Sequence, residues 1–216
     1  MVTEEQNDVG TRERIIDAAE ALFAEKGFDL VSLRDITSQA GANVAAVNYH
    51  FGSKDNLISA VVERHCIPIM EGRMRMLNEA EERHGEDVVP LEEILRAFLQ
   101  PLLDHLASNE FNEALFCKFM GRMSGDQSCM PDSVAPLFQK MANRYSFAIR
   151  KAVPALSDEE ALWRIHFSFG VVAHGLMHGE TLYQISGGKS GHPSMEVLLD
   201  RVIRFCVGGF QAEAER

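Results

Sequence analysis

Residues 41–54, GANVAAVNYHFGSK, constrain the fold of this chain more than any other stretch. Gly41 can take the left-handed conformation that ends a helix, and Asn43 is a favoured N-cap two residues later. Between Asn43 and Gly52 there is room only for a helix from about Val44 to His50, roughly 10 Å at 1.5 Å per residue. A connection this tight makes successive helices cross sharply, which is the helix-turn-helix geometry. Ser53-Lys54-Asp55 then opens a further helix.

Upstream, Ile15, Ala19 and Leu22 recur at i, i+4 and i+7, and Ile16 and Phe23 widen the stripe, so a helix is expected from Thr11 to Lys26 with Gly27 as its cap. Residues 1–10 lack apolar periodicity and are expected to form a frayed, disordered tail. Ser32 with Asp35 three residues on reads as a short-armed capping box, and Leu33, Ile36 and Ala40 form the next apolar stripe.

Downstream of Ser53 only helical patterning is found. Helices are expected from Ser53 to about Arg64, with a break or kink at Pro68, and on to about His84. Further helices are expected over about 90–107 (despite Pro101), 110–123, 132–153, 157–183 and 194–210. Ser157-Asp158-Glu159-Glu160 is a strong start signal for the penultimate one. No sustained alternation marks a strand and no fixed-period repeat is visible. The expected architecture is all-α: a tail (1–10), a three-helix helix-turn-helix domain (11–57) and a larger helical domain (58–216).

Composition excludes several classes. No run of about 18 apolar residues could span a bilayer, and the acidic N-terminus is unlike a secretory signal, so a cytoplasmic protein is expected. The four cysteines are scattered without a C-x-x-C pair, and reduced thiols rather than disulfides or a zinc cluster are expected. The formal net charge is −11, and residues 1–60 hold five basic against ten acidic side chains. Non-specific DNA affinity should therefore be weak and salt-sensitive. Specific binding depends on the local face and its donors instead.

Residues 11–57 resemble the DNA-binding domain of TetR-family transcriptional regulators, through Lys26-Gly27, Ser32-Leu33-Arg34-Asp35-Ile36, Ala40-Gly41 and Asn48-Tyr49-His50-Phe51-Gly52-Ser53-Lys54. The physical reading agrees. Tyr49 and His50 can donate to phosphates at the end of the short helix. Lys54 sits in the first turn of the next helix, whose free N–H groups favour an anion, and would complete a phosphate clamp. Arg34 can reach phosphate or a guanine edge, with the cap residues Ser32 and Asn43 beside this surface. Sequence reading falls to Val44, Ala45, Ala46 and Asn48: valine and alanine methyls suit thymine methyls and Asn48 can pair with adenine, while the resemblance implies that the Ala46 position lies near the backbone. Val47 and Phe51 are expected in the core.

The resemblance implies a homodimer that reads a pseudo-palindromic double-stranded operator and answers a small-molecule effector, most often as a repressor. Candidate pocket residues are Phe98, Leu102, Phe116, Phe119, Met120, Met123, Phe138 and Met141, with His174 added; ordinary core is the competing account of each. Residues 90–103, 114–123 and 157–170 resemble, more loosely, the PsrA-like branch, which includes regulators released by long-chain fatty acids, and this implies an acyl-type effector. For the dimer seam the last two helices offer Phe169, Val172, Leu176, Val202, Phe205 and Phe210, with Gly208-Gly209 permitting close approach.

His174 and His178 lie one turn apart and could share a metal, but a third ligand is missing, and polar groups in a pocket or seam are the expected role. No metal or cofactor is expected. Gly187-Gly188-Lys189-Ser190 is not a phosphate loop, because Tyr183 stands where its first glycine must be. No catalytic pattern is present, so no enzyme is expected. An all-α enzyme with a vestigial helix-turn-helix and an unliganded architectural DNA-binding dimer are the alternatives.

Overall fold

The computed structural model describes residues 4–108 and 131–213. Eight helices lie among them: α1 (Glu4–Lys26), α2 (Leu33–Ala40), α3 (Val44–His50), α4 (Lys54–His84), α5 (Leu91–Ala107), α6 (Ala135–Ala152), α7 (Asp158–Ile185) and α8 (Met195–Gln211). No strand occurs among the described residues, and no helix there is long and apolar enough to cross a membrane.

The chain divides into two units, residues 1–67 with 108–135 and residues 68–107 with 136–216. The division falls within α4, between Ile67 and Pro68. Leu57, Val61 and Val62 are all fully buried and extend the first unit's core into α4. Two expectations are corrected. Helix α1 begins at Glu4, so residues 4–10 are helical although they supply no apolar stripe to announce it. Helix α4 runs through Pro68 without ending; a proline inside a helix removes one backbone bond, and a long helix can tolerate that loss.

In the first unit, α1 packs on both α2 and α3, which pack on each other. The stripe of α1 is buried as its spacing requires, with Ile15, Ala19 and Phe23 at 0 % exposure. Ile36 of α2 and Val47 of α3 meet it and are equally buried. Burying a valine contributes about 1.5–2 kcal/mol, a large share for a helix of seven residues. The Phe23 and Phe28 rings lie 5.3 Å apart and close the end of this core.

In the second unit α5 packs on α8, and α7 on α8. Leu95, Leu99, Tyr145, Leu199 and Ile203 are buried. Pro101 is accommodated because α4 presents Gly72 to it. A Cβ on Gly72 would come within 2.9 Å of the Pro101 Cβ, so only glycine permits this approach.

Candidate nucleic-acid interface and the C-terminal helices

The turn that aims α3 is built by local hydrogen bonds. The Ser32 backbone N–H donates to Asp35 Oδ2 at 2.9 Å and the Asp35 N–H donates to Ser32 Oγ at 3.2 Å, completing the capping box. Gly41 takes φ 60° and ψ 37°, a conformation open to glycine at little cost. Asn43 Oδ1 accepts from the Ala46 N–H at 2.9 Å and starts α3. Arg14 Nε donates to the Ala40 carbonyl at 3.3 Å, so α1 itself holds the end of α2. Sequence patterning does not reveal that last contact, because Arg14 lies off the apolar stripe.

The result is a helix with one face locked and the other open. Val47 and Phe51 are buried as expected, whereas Val44, Ala45, Asn48 and Tyr49 are exposed, Tyr49 at 75 %. Ala46 and His50 are half-buried. The Tyr49 and His50 rings meet edge to face at 5.1 Å. Arg34 is exposed at the start of α2. The Ser32 hydroxyl donates to Asp35 Oδ2 at 2.6 Å, and that bond holds the Asp35 carboxyl below its usual range. Ser32 thus acts first as a cap. Lys54 is half-buried and its ammonium donates to the Phe28 carbonyl at 2.6 Å. One of its three donors is therefore committed to the fold.

Behind this face, the Glu20 carboxylate lies 3.1 Å from His65 Nε2, both side chains buried, while Arg64 bonds Asp17 Oδ1 at 2.5 Å. These pairs tie α1 to α4 within the first unit.

Of the expected pocket residues, Phe98, Leu102 and Met141 are buried and Phe138 is half-buried. Phe116, Phe119, Met120 and Met123 lie outside the described residues. His174 is exposed on α7 and does not line an interior. Two residues that the apolar pattern misses sit at Phe98 instead. The Arg73 guanidinium, 2 % exposed, stacks 4.1 Å from the ring centre and donates to the Phe98 carbonyl at 2.8 Å. Tyr145 meets the same ring edge to face at 5.2 Å, and its hydroxyl donates to the Arg73 carbonyl at 2.8 Å. Burial pushes the Tyr145 phenol well above its ordinary value.

The residues named for a seam on the last two helices divide by burial. Val172, Val202 and Phe210 are at 0 %, 5 % and 1 % exposure, so they pack inside their own unit. Phe169 and Leu176 are half-buried. Phe205 is 69 % exposed, and it is joined by Trp163 at 52 % and Phe167 at 59 %, which the sequence pattern did not single out. These aromatics border a groove of about 570 Å³ between α7 and α8, floored by Ser168, Cys206 and Phe210. Burial raises the Cys206 thiol pKa. Arg164 holds the two helices together, its Nη1 donating to the carbonyls of Gly209, Phe210 and Ala212 at 2.8–3.0 Å. Among the described residues no three His, Cys, Asp or Glu side chains gather as a metal site.

Residues 15–61 match the family described as bacterial regulatory proteins, tetR family, and residues 96–209 match the tetracyclin repressor-like C-terminal domain. The HTH-type transcriptional repressor BdcR of Escherichia coli K12 is 36 % identical over 102 residues, 44 % of this chain and 43 % of its own. The chain thus spans less than half the length of that relative. The HTH-type transcriptional regulator AcrR of Shigella flexneri is 27 % identical over 148 residues, 67 % of each chain. Among solved structures, a complex of SmeT, the repressor of a Stenotrophomonas maltophilia multidrug efflux pump, with triclosan is 25 % identical, with a TM-score of 0.58 over 90 % of both chains. With matched family regions at both ends and an all-helical fold carrying a helix-turn-helix, the chain belongs to the TetR family of bacterial regulatory proteins.

Proposed function

We propose that this protein is a cytoplasmic, dimeric transcriptional repressor that binds a pseudo-palindromic operator and is released by a small apolar effector. The observation that carries the proposal is the exposed face of α3, where Val44, Ala45, Asn48 and Tyr49 stand open while Val47 beneath them is fully buried. Methyls and one carboxamide suit thymine methyls and an adenine edge. Tyr49, His50, Arg34 and the remaining donors of Lys54 suit phosphates. An α3 of seven residues reads too few base pairs to be selective alone. A two-fold dimer reads two half-sites about one helical turn apart.

The dimer is supported by the exposed aromatics Trp163, Phe167 and Phe205, since an apolar patch of this kind marks an interaction surface. The effector class is supported by the Phe98, Leu102 and Met141 cluster and by SmeT, a relative solved with the apolar phenol triclosan. To empty the operator, the effector must favour the non-binding form by several kcal/mol.

The test is titration of the DNA upstream of the protein's own coding sequence, at two salt concentrations, with wild type, Tyr49→Ala and Asn48→Ala. Tyr49→Ala should weaken all sequences alike, and Asn48→Ala should relax selectivity at one position of each half-site. Unchanged binding by both variants would refute the assigned face.

A further inference from the structure

His174 and His178 stand one turn apart on α7, both exposed, with ring centres 4.5 Å apart and planes at 38°. Neither imidazole is engaged in a hydrogen bond or ion pair with the described protein. The backbone at His178 leaves the helical region, at φ −122° and ψ 15°. The other histidines on this side are occupied. His192 lies 3.8 Å from Glu180 and stacks at 4.0 Å on Tyr183, and His166 packs edge-on against Trp163.

Two features give the pair a chemical meaning. The first is its spacing. Imidazoles bind zinc at about 2.0–2.1 Å, so two rings sharing one tetrahedral ion have centres about 5 Å apart. The observed separation needs only a small side-chain rotation, which an exposed residue can make. The second is the position of the pair on the helix. Trp163, Phe167, His174 and His178 follow one another at steps of four, seven and four residues, so they occupy one face of α7. Between them Gly170 is bare, and a Cβ added there would meet nothing within 4 Å. The histidines thus continue the aromatic stripe assigned above to the second copy.

We propose that His174 and His178 of two copies bind one divalent zinc-class ion across the dimer seam. One chain supplies two nitrogen ligands, half of a closed tetrahedral site, and the two-fold axis supplies the same two again. Neutral imidazole favours zinc, copper and nickel over magnesium or calcium. A bound ion would tighten the dimer by mass action and so link operator occupancy to metal supply. The inference rests on the dimer proposed above.

The experiment uses the full chain, freed of metal by a chelator, with zinc chloride as the probe. Calorimetry should give about one zinc per two chains. Sedimentation should show the dimer dissociation constant falling at least about tenfold with zinc. The double variant His174→Gln/His178→Gln should lose both effects while keeping its circular dichroism and its metal-free dimer mass. Cobalt in place of zinc should give the strong visible bands of a tetrahedral site. A dimer that takes up no zinc, one ion per chain, or zinc uptake that survives the double variant overturns the site and leaves the dimer standing. A chain that is monomeric with and without zinc overturns both.

Discussion

The Lys54 ammonium donates to the Phe28 carbonyl at 2.6 Å, joining the first turn of α4 to the loop between α1 and α2. A residue chosen from the sequence for its charge therefore has a structural task as well. Lys54→Met should lower stability in urea by about 1 kcal/mol, because a charge-assisted bond at a half-buried site contributes less than a buried one. It should also reduce the salt dependence of operator binding by about one phosphate contact. Loss of affinity with an unchanged salt slope would mean that Lys54 acts on the fold alone.

Arg144 Nη1 donates to Glu81 Oε1 at 2.6 Å. That bond holds the Glu81 carboxyl below its ordinary value of 4.5, against the opposing effect of burial. Since the folded pKa lies below the unfolded one, the contribution is complete above about pH 4.5 and is lost as pH falls through the folded value. The Glu93 carboxyl is lowered in the same sense by Arg83 and His84. Thermal melts between pH 3 and 7 should therefore show acid unfolding of Arg144→Gln beginning at higher pH than wild type, with little difference in how the two respond above pH 6.

Tyr145 and Arg73 predict a graded pair of variants. Tyr145→Phe removes the hydroxyl donor that reaches the Arg73 carbonyl at 2.8 Å in addition to that carbonyl's helical bond, and should cost about 1 kcal/mol in denaturant unfolding. Arg73→Ala removes the guanidinium stacked on Phe98 and opens a void beside it, and should cost about 3–5 kcal/mol. A milder effect for Arg73→Ala than for Tyr145→Phe would contradict the packing described.

Arg164 should govern the last turn of α8. Its three carbonyl acceptors stand where a helix end leaves acceptors unmatched. Arg164→Ala should destabilise the protein by about 1–3 kcal/mol. Hydrogen exchange should speed up over residues 207–212 more than in α1, and uniform exchange would argue against a local cap.

Phe205→Glu should leave the unfolding free energy of one chain almost unchanged, because the ring is 69 % exposed. In sedimentation the same variant should shift the protein toward monomer. Phe210→Ala should do the reverse, costing about 3–5 kcal/mol while leaving the seam chemistry intact, since Phe210 is buried in its own chain.

Residues 11–54 were legible because their signals are local, whereas residues 4–10 are helical without an apolar stripe to announce it. A serine with an aspartate three residues on, a glycine at a helix end and an asparagine before an apolar residue each act over one turn of backbone. The structure places Ser32, Gly41 and Asn43 in those roles. Periodicity was equally sufficient for the stretch of α1 from Ile15 to Phe23, where one face is apolar and the other is not, so the direction it faces is unambiguous. The Asn48-Tyr49-His50-Phe51 end of α3 needed no partner to be read either, because it lies within four positions of the buried Val47 that orients the helix.

By itself, then, the sequence determined the helical class, the capped turn and the exposed face of α3, since each depends on residues within a few positions of one another. The tertiary structure alone decided which way α7 and α8 are turned. Both helices carry apolar residues on more than one face, so hydrophobicity does not distinguish a residue facing its own core from one facing a second copy. Packing against neighbours distant in sequence makes that choice. It puts Val172 and Phe210 inside and leaves Trp163, Phe167 and Phe205 outside. It also buries Arg73 against Phe98, a placement that no pattern of charge or periodicity announces, because its stability depends on Phe98 and Tyr145 arriving from other helices.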